Sequence, residues 1–178
     1  VVMWSALVPA VSDLDARDDT DRLQRLYLRS TKYVAILVMP MVAFVAGSAA
    51  LLIPAWQGFD DDWIISIAVL QWMVFGYVAN LLPGAGVTMA LGMGRPDVQM
   101  KAGLISLAAN IALTLVLVKT IGFWGVPIAT VISMYISWFW FIGAMRSVLD
   151  VRPSQLWTES IRGAVHAAIP VGVFAWAA

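Results

Sequence analysis

Residues 101–146 decide the fold, and they read KAGLISLAANIALTLVLVKTIGFWGVPIATVISMYISWFWFIGAMR. They contain two uncharged segments, 102–118 and 121–145, and a turn at residues 119–127 (KTIGFWGVP) joins the two helices that these segments predict. A bilayer's hydrocarbon core is about 30 Å thick, and a helix needs about 20 apolar residues to cross it. Gly122 suits a left-handed helix end, and Pro127 suits the first turn of the next helix. The stretch therefore predicts a transmembrane helical hairpin.

The composition extends this reading to the whole chain. Of 178 residues, 61% are apolar and only 12% are charged, whereas soluble domains carry about a quarter charged residues. The net charge is zero, so nothing indicates a nucleic-acid partner. The chain has no Cys and a single His, which excludes disulfides and argues against a structural zinc site.

The remaining uncharged runs predict an all-α, polytopic membrane helical bundle of about five spans, the first and last of them truncated. Six apolar stretches supply them, the two truncated ones included, at residues 1–12, 34–56, 63–92, 102–119, 123–145 and 163–178. We read the chain as a piece of a longer polytopic protein.

An amphipathic connector at residues 18–33 has acidic residues near its start and basic residues near its end, which matches the helix dipole. We predict a short helix there that lies at the membrane interface. A solvated connecting face is the favoured role, and a regulatory or lipid-binding role is the alternative.

The run 63–94 is too long for one straight crossing, since about 30 helical residues extend about 45 Å. Pro83 removes a backbone donor, and Gly84 and Gly86 soften the chain beside it. We predict a bent helix with its kink at Pro83, Gly84 and Gly86. A functional hinge and a purely structural kink both remain open.

The basic residues indicate the orientation. If each run crosses once, the loops 13–33, 95–101 and 146–162 share one side and carry ten of the eleven Lys and Arg residues. Lys119 and the acidic residues 60–62 fall on the other side. Because Lys and Arg resist translocation, the basic side is predicted to be cytoplasmic, in a cytoplasmic (inner) membrane. The three carboxylates are read as a solvated loop, since they lack a fixed cation-ligand spacing.

The predicted spans offer little catalytic chemistry. Apart from Lys119 at the very end of its span, His166 is the one Asp, Glu, Lys, Arg or His residue in them, and a hydrated position at the interface is favoured over a proton-responsive switch. We expect no catalytic residues, metal site or cofactor. The weak candidates for a substrate pathway are neutral: Gln71, Asn80, Asn110 and Thr114. Ser106 shares a helical face with Asn110, and Thr130, Ser133 and Ser137 follow the next helix. Such groups more often hydrogen-bond neighbouring helices.

The order of features resembles a known family. Residues 8–12 (VPAVS) precede the connector, and Asn110 comes twelve residues before GFWGVPIAT at 122–130. This resembles the polysaccharide-biosynthesis or oligosaccharide flippase family of the multidrug/oligosaccharidyl-lipid/polysaccharide exporter superfamily. The resemblance implies the C-terminal lobe of a two-lobe transporter that moves lipid-linked oligosaccharides for the cell envelope, such as lipopolysaccharide precursors, by alternating access. It assigns Asn110, Gly122 and Gly125 packing and turn roles, and it implies that the charges for substrate lie outside this stretch.

Other functions stay open from the residues alone. A cation-coupled multidrug or metabolite antiporter of the same superfamily would need a carboxylate inside a span. A membrane-embedded transferase would need clustered acidic or His residues at a membrane boundary, and a membrane scaffold would need neither. The expected partners are the lipid bilayer, a lipid-linked oligosaccharide and the remaining lobe of the same polypeptide.

Overall fold

The computed structural model describes residues 7–58 and 63–177, and within these ranges the chain is helical without a strand. The α-helices are α1 (Leu7–Ala16), α2 (Thr20–Gln57), α3 (Ile64–Leu81), α4 (Gly84–Gly92), α5 (Pro96–Ile121), α6 (Gly125–Leu149) and α7 (Arg162–Ala177). A 3₁₀ turn (Gly122–Trp124), a helical turn (Pro153–Gln155) and a π-helical turn (Leu156–Ile161) complete the described path. The prediction of an all-α fold is confirmed. The acidic residues 60–62 and the start of the first predicted span lie outside the described residues.

Five long helices pack in one layer, in the order α7, α2, α3, α6 and α5. Four stretches among the described residues are long and apolar enough to cross a membrane: Thr20–Trp56, Ile64–Gly92, Pro96–Leu149 and Leu156–Ala177. The third contains both α5 and α6, which pack against each other as a hairpin and so supply two crossings. The described part of the chain is therefore a polytopic membrane helical bundle with four to five long apolar helices.

The residues of the predicted connector do not form a helix of their own. They begin α2, which continues without a break from Thr20 to Gln57. Its 38 residues extend about 57 Å, roughly twice the hydrocarbon thickness. No Gly or Pro lies between residues 20 and 39 to end the helix, so the connector and the following span fuse. The predicted separate interfacial helix at 18–33 is corrected to the first part of a long helix, where Leu23, Tyr27 and Leu28 are buried.

The third crossing is interrupted where Pro83 stands. Helix α3 ends at Leu81 and α4 begins at Gly84, while Leu82 and Pro83 keep right-handed helical angles. Because proline has no N–H, the backbone ladder loses one donor at this point. The helix is interrupted within the predicted kink, and a hinge movement there stays a prediction.

Two glycines shape the turn of the hairpin: Gly122 ends α5 and Gly125 begins α6. Helix α5 ends at Gly122, which has a φ of 63° and whose N–H bonds the Val118 carbonyl. Such a φ is costly for residues with a Cβ. One 3₁₀ turn later Gly125 begins α6, and Pro127 is buried within the first turn of that helix, where its missing N–H has no intrahelical acceptor.

One end of the layer gathers the predicted cytoplasmic loops, and we call it the basic end. The Ser12 hydroxyl donates to the Gly92 carbonyl at 2.7 Å, and the Ser160 hydroxyl donates to the Leu28 carbonyl at 2.8 Å. The Gln24 amide reaches the Asp150 carbonyl at 3.4 Å. The cations of the basic end are Arg17, Arg22, Arg25, Arg29, Lys32, Arg95, Lys101, Arg146, Arg152 and Arg162.

The outer faces of the long helices are apolar and exposed. Leu37, Leu115 and Phe174 are 63%, 62% and 76% exposed, respectively. Soluble monomers rarely expose contiguous apolar surfaces of this kind. Lipid tails or further protein must therefore cover these faces.

Candidate functional site

A cavity of about 510 Å³ lies between the α3–α4 crossing and the α5–α6 hairpin. Its polar side chains share one property, which is that none of them is charged. They are Asn80, Gln99, Ser106, Asn110, Thr130, Ser133 and Ser137. Leu107, Met134, Trp138 and Phe141 add apolar and aromatic surface. A site of this composition provides hydrogen-bond donors and acceptors together with apolar surface. It provides no charged side chain to bind an ion.

Asn110 connects the two helices of the hairpin across the cavity wall. Its amide nitrogen donates to the Thr130 hydroxyl at 3.2 Å and to the Ser133 hydroxyl at 3.3 Å. The Ser133 hydroxyl in turn donates to the Thr130 carbonyl at 2.8 Å. Interhelical bonds of this kind contribute about 0.6 kcal/mol on average in membrane proteins. Asn110 therefore stabilises the hairpin, and its amide oxygen stays as an acceptor beside the cavity.

Ser137 holds the other end of the same wall. Its hydroxyl donates to the Ala102 carbonyl of α5 at 2.8 Å. Together with Asn110 it fixes the register of α6 against α5, because the two residues bond the helices at two different heights along the hairpin. The three polar residues of α6 that line the cavity, Thr130, Ser133 and Ser137, thus each bond α5.

Three cavity residues have no such structural bond. Among the described residues, no side-chain hydrogen-bond partner lies within reach of Asn80, Gln99 or Ser106. All three line the cavity, and Asn80 and Gln99 are exposed. Unpaired neutral amides and a hydroxyl facing one space are the groups available to a bound molecule.

Two of the predicted pathway residues meet in this cavity and two do not. Asn80 and Asn110 both line it. Gln71 lines a different, apolar cavity between α2, α3 and α7, where its amide donates to the Ala46 carbonyl at 3.1 Å. Thr114 is half-buried on α5 and lines neither cavity.

The residues of the predicted kink border the same site. Pro83 lines the cavity, while Gly84 and Gly86 begin α4 directly behind it. A Cβ on Gly86 would come within 2.9 Å of the rings of both Phe141 and Tyr27. Gly86 is therefore required for close packing of α4 on its neighbours.

Gln99 was not predicted from the sequence to line the cavity, although its spacing from Ser106 and Asn110 indicates that it does. The sequence interpretation placed Gln99 in the loop 95–101, but α5 begins at Pro96 and carries it in its first turns. Gln99, Ser106 and Asn110 are seven and four residues apart, which puts them on one face of a 3.6-residue helix. Extending the polar face of the hairpin by two turns identifies the residue.

The described residues hold no group of three or more His, Cys, Asp or Glu side chains placed to bind a metal ion. None of the residues that line the cavity is ionisable. The arrangement therefore suits an uncharged polar group better than an ion.

The fold and the site together define a polytopic membrane protein with a neutral polar cavity between its spans. Residues 2–68 match the family model described as "Polysaccharide biosynthesis protein". The chain is also 24% identical over 140 residues to the "Uncharacterized membrane protein MJ1068" of Methanocaldococcus jannaschii. That alignment covers 78% of this chain and 27% of the relative, so the chain spans about a quarter of the relative's length. No solved structure matches the chain.

Proposed function

We propose that the chain is part of a transporter that moves lipid-linked oligosaccharide precursors across the cytoplasmic membrane by alternating access. The observation that carries the proposal is a cavity between long apolar helices, lined by the neutral groups Asn80, Gln99 and Ser106, which have no hydrogen-bond partner among the described residues. Sugar hydroxyls both donate and accept hydrogen bonds, and amide side chains complement both roles. Trp138 in the same cavity is only partly buried and provides flat apolar surface for the face of a sugar ring.

The match of residues 2–68 to a polysaccharide-biosynthesis family supports this assignment. In the proposal, the anionic part of the carrier is bound by the remaining lobe, because the cavity residues of this chain carry no cation. A cation-coupled antiporter would instead need a carboxylate within a span. None lies in this cavity, so the flippase proposal fits the site better. The protein acts as a carrier and not as an enzyme.

Filling the cavity tests the proposal. We expect Ser106→Trp to reduce export of surface polysaccharide about ten-fold, because the indole occupies space that the glycan needs. The measurement is restoration of surface polysaccharide in a strain that lacks the gene, with the membrane level of each variant determined by immunoblot.

Leu115→Trp is the matched control on the same helix. Leu115 is 62% exposed on the outer face of α5, so the same side chain there leaves the cavity unchanged. Full export by Ser106→Trp at a normal membrane level would rule out passage through this cavity.

The orientation of the proposed transporter has its own test. We expect Arg29→Cys to react with a membrane-impermeant thiol reagent only from the cytoplasmic side, and Lys119→Cys only from the outside. Residue 119 lies 24 positions along α5 from the basic end, a rise of about 36 Å, so the two sites flank the bilayer. The chain has no Cys of its own, so within it only the introduced Cys can react. Labelling of both variants from the same side would contradict the proposed topology.

A further inference from the structure

A separate groove lies near the basic end, between the last turns of α6 and the π-helical turn Leu156–Ile161. Its volume is about 340 Å³, and it shares only Trp138 with the lining of the polar cavity. The residues that define it are Trp138, Phe139, Ile142, Gly143, Arg146 and Trp157. Apart from Arg146, every residue that lines this groove is uncharged.

The two ends of the groove differ in polarity. On α6 its lining residues run from Trp138 to Arg146, a rise of about 12 Å along the helix. The Trp138 end is apolar and points toward the middle of the crossing, whereas the Arg146 end belongs to the basic end. An apolar channel thus leads inward from a cation near the membrane boundary.

The surroundings of Arg146 leave its charge unneutralised. Arg146 is exposed, and among the described residues no carboxylate lies within ion-pair distance of its guanidinium. The neighbouring aromatic surface is also open, since Phe139 is 65% and Trp157 is 52% exposed. Tryptophan is enriched at membrane interfaces, where one part of its ring meets lipid and another meets the headgroups.

We propose that this groove binds an anionic phospholipid of the surrounding bilayer, with one acyl chain along the apolar lining and the headgroup phosphate at Arg146. Hydrocarbon fits the uncharged walls between Trp138 and Gly143, and the anionic headgroup complements the single cation. Basic pockets between membrane helices near the cytoplasmic face are established sites for anionic headgroups. This lipid site is distinct from the polar cavity and does not depend on the proposed transport.

Gly143 keeps the middle of the groove open and offers a steric test. A Cβ at this position would meet no other group within 4 Å. A leucine there can therefore occupy the groove without pushing on the protein, and its helix propensity is better than that of glycine. Gly143→Leu blocks the acyl chain while Arg146 stays in place.

Native mass spectrometry of the purified, delipidated protein, titrated with dioleoylphosphatidylglycerol or dioleoylphosphatidylcholine, tests the proposal. We expect the unmodified protein to bind phosphatidylglycerol about five-fold more tightly, the effect of one basic residue near an anionic headgroup. Arg146→Gln is expected to abolish this preference, and Gly143→Leu to weaken binding of both lipids. Arg152→Gln, which removes a cation of the basic end outside the groove, is the control and should keep the preference.

Four results would overturn the assignment. The first is an unchanged preference in Arg146→Gln, and the second is an equal loss in Arg152→Gln, which would indicate a diffuse charge effect. The third is a dimer of the unmodified protein that Gly143→Leu dissociates, since a second copy would then occupy the groove. Unaltered lipid binding by Gly143→Leu would likewise place the acyl chain elsewhere.

Discussion

Replacing Gly125 by alanine is expected to lower the free energy of unfolding by about 3 kcal/mol relative to a neutral glycine substitution in the same hairpin, at the upper end of the range for overpacking. A Cβ at this position would lie 2.5 Å from the Leu117 carbonyl carbon and 2.5 Å from the Val118 nitrogen. Both are backbone atoms, which cannot rotate away as a side-chain end can. The two helices would have to separate where the hairpin closes.

The measurement is the unfolding free energy in mixed micelles, followed by circular dichroism during a denaturant titration. Gly103→Ala is the matched control on α5, because a Cβ there meets no other group within 4 Å. Alanine favours the helix over glycine by about 1 kcal/mol, so the control is expected to be neutral or slightly stabilising. Equal stability of the two variants would show that the turn at Gly125 tolerates a wider hairpin.

Separation of the hairpin would also change the polar cavity. The Asn110 bonds to Thr130 and Ser133 lie on α6 one to two turns from Gly125. Their donor and acceptor must stay within about 3.3 Å to remain bonded. The packing of one glycine therefore sets the geometry of a cavity wall that carries function in the proposal.

The helical fold was predictable because the bilayer imposes a simple rule. Backbone polar groups in hydrocarbon must bond within the segment, so long uncharged runs become helices whatever their detailed sequence. The end of a helix was less predictable where charge alone was the cue. The charges between Asp21 and Lys32 suggested a separate element, but charged residues at helical spacing do not break a helix, and α2 continues through them.

The site was only partly predictable because the choice of face depends on packing. Gln71 and Asn80 are nine residues apart, which places them on opposite sides of α3. Asn80 faces the hairpin cavity, and Gln71 faces α2. In a membrane helix most positions on every face are apolar, so the hydrophobic pattern that orients a soluble helix is absent. Which polar residues meet is decided by neighbouring helices.

The crossing of α2 with α7 depends on Gly47 in the same way, and Gly47→Ala is expected to reduce the unfolding free energy by about 2 kcal/mol relative to Gly172→Ala. A Cβ on Gly47 would come within 2.7 Å of the Gly172 carbonyl oxygen and 2.9 Å of the Ala175 Cβ. Small residues let membrane helices approach this closely, and dispersion contacts along the seam then hold them together.

Gly172→Ala is an informative control because it lies on the opposite side of the same contact. Its added Cβ would meet the Ala43 Cβ at 3.4 Å, an ordinary van der Waals distance. Both substitutions gain the same helix propensity, so the difference between them isolates the overlap at the crossing. The measurement is the same denaturant titration, read together with protease sensitivity of α7. If the two variants unfold at the same denaturant concentration, the close backbone contact at Gly47 does not stabilise the packing of α7 against α2.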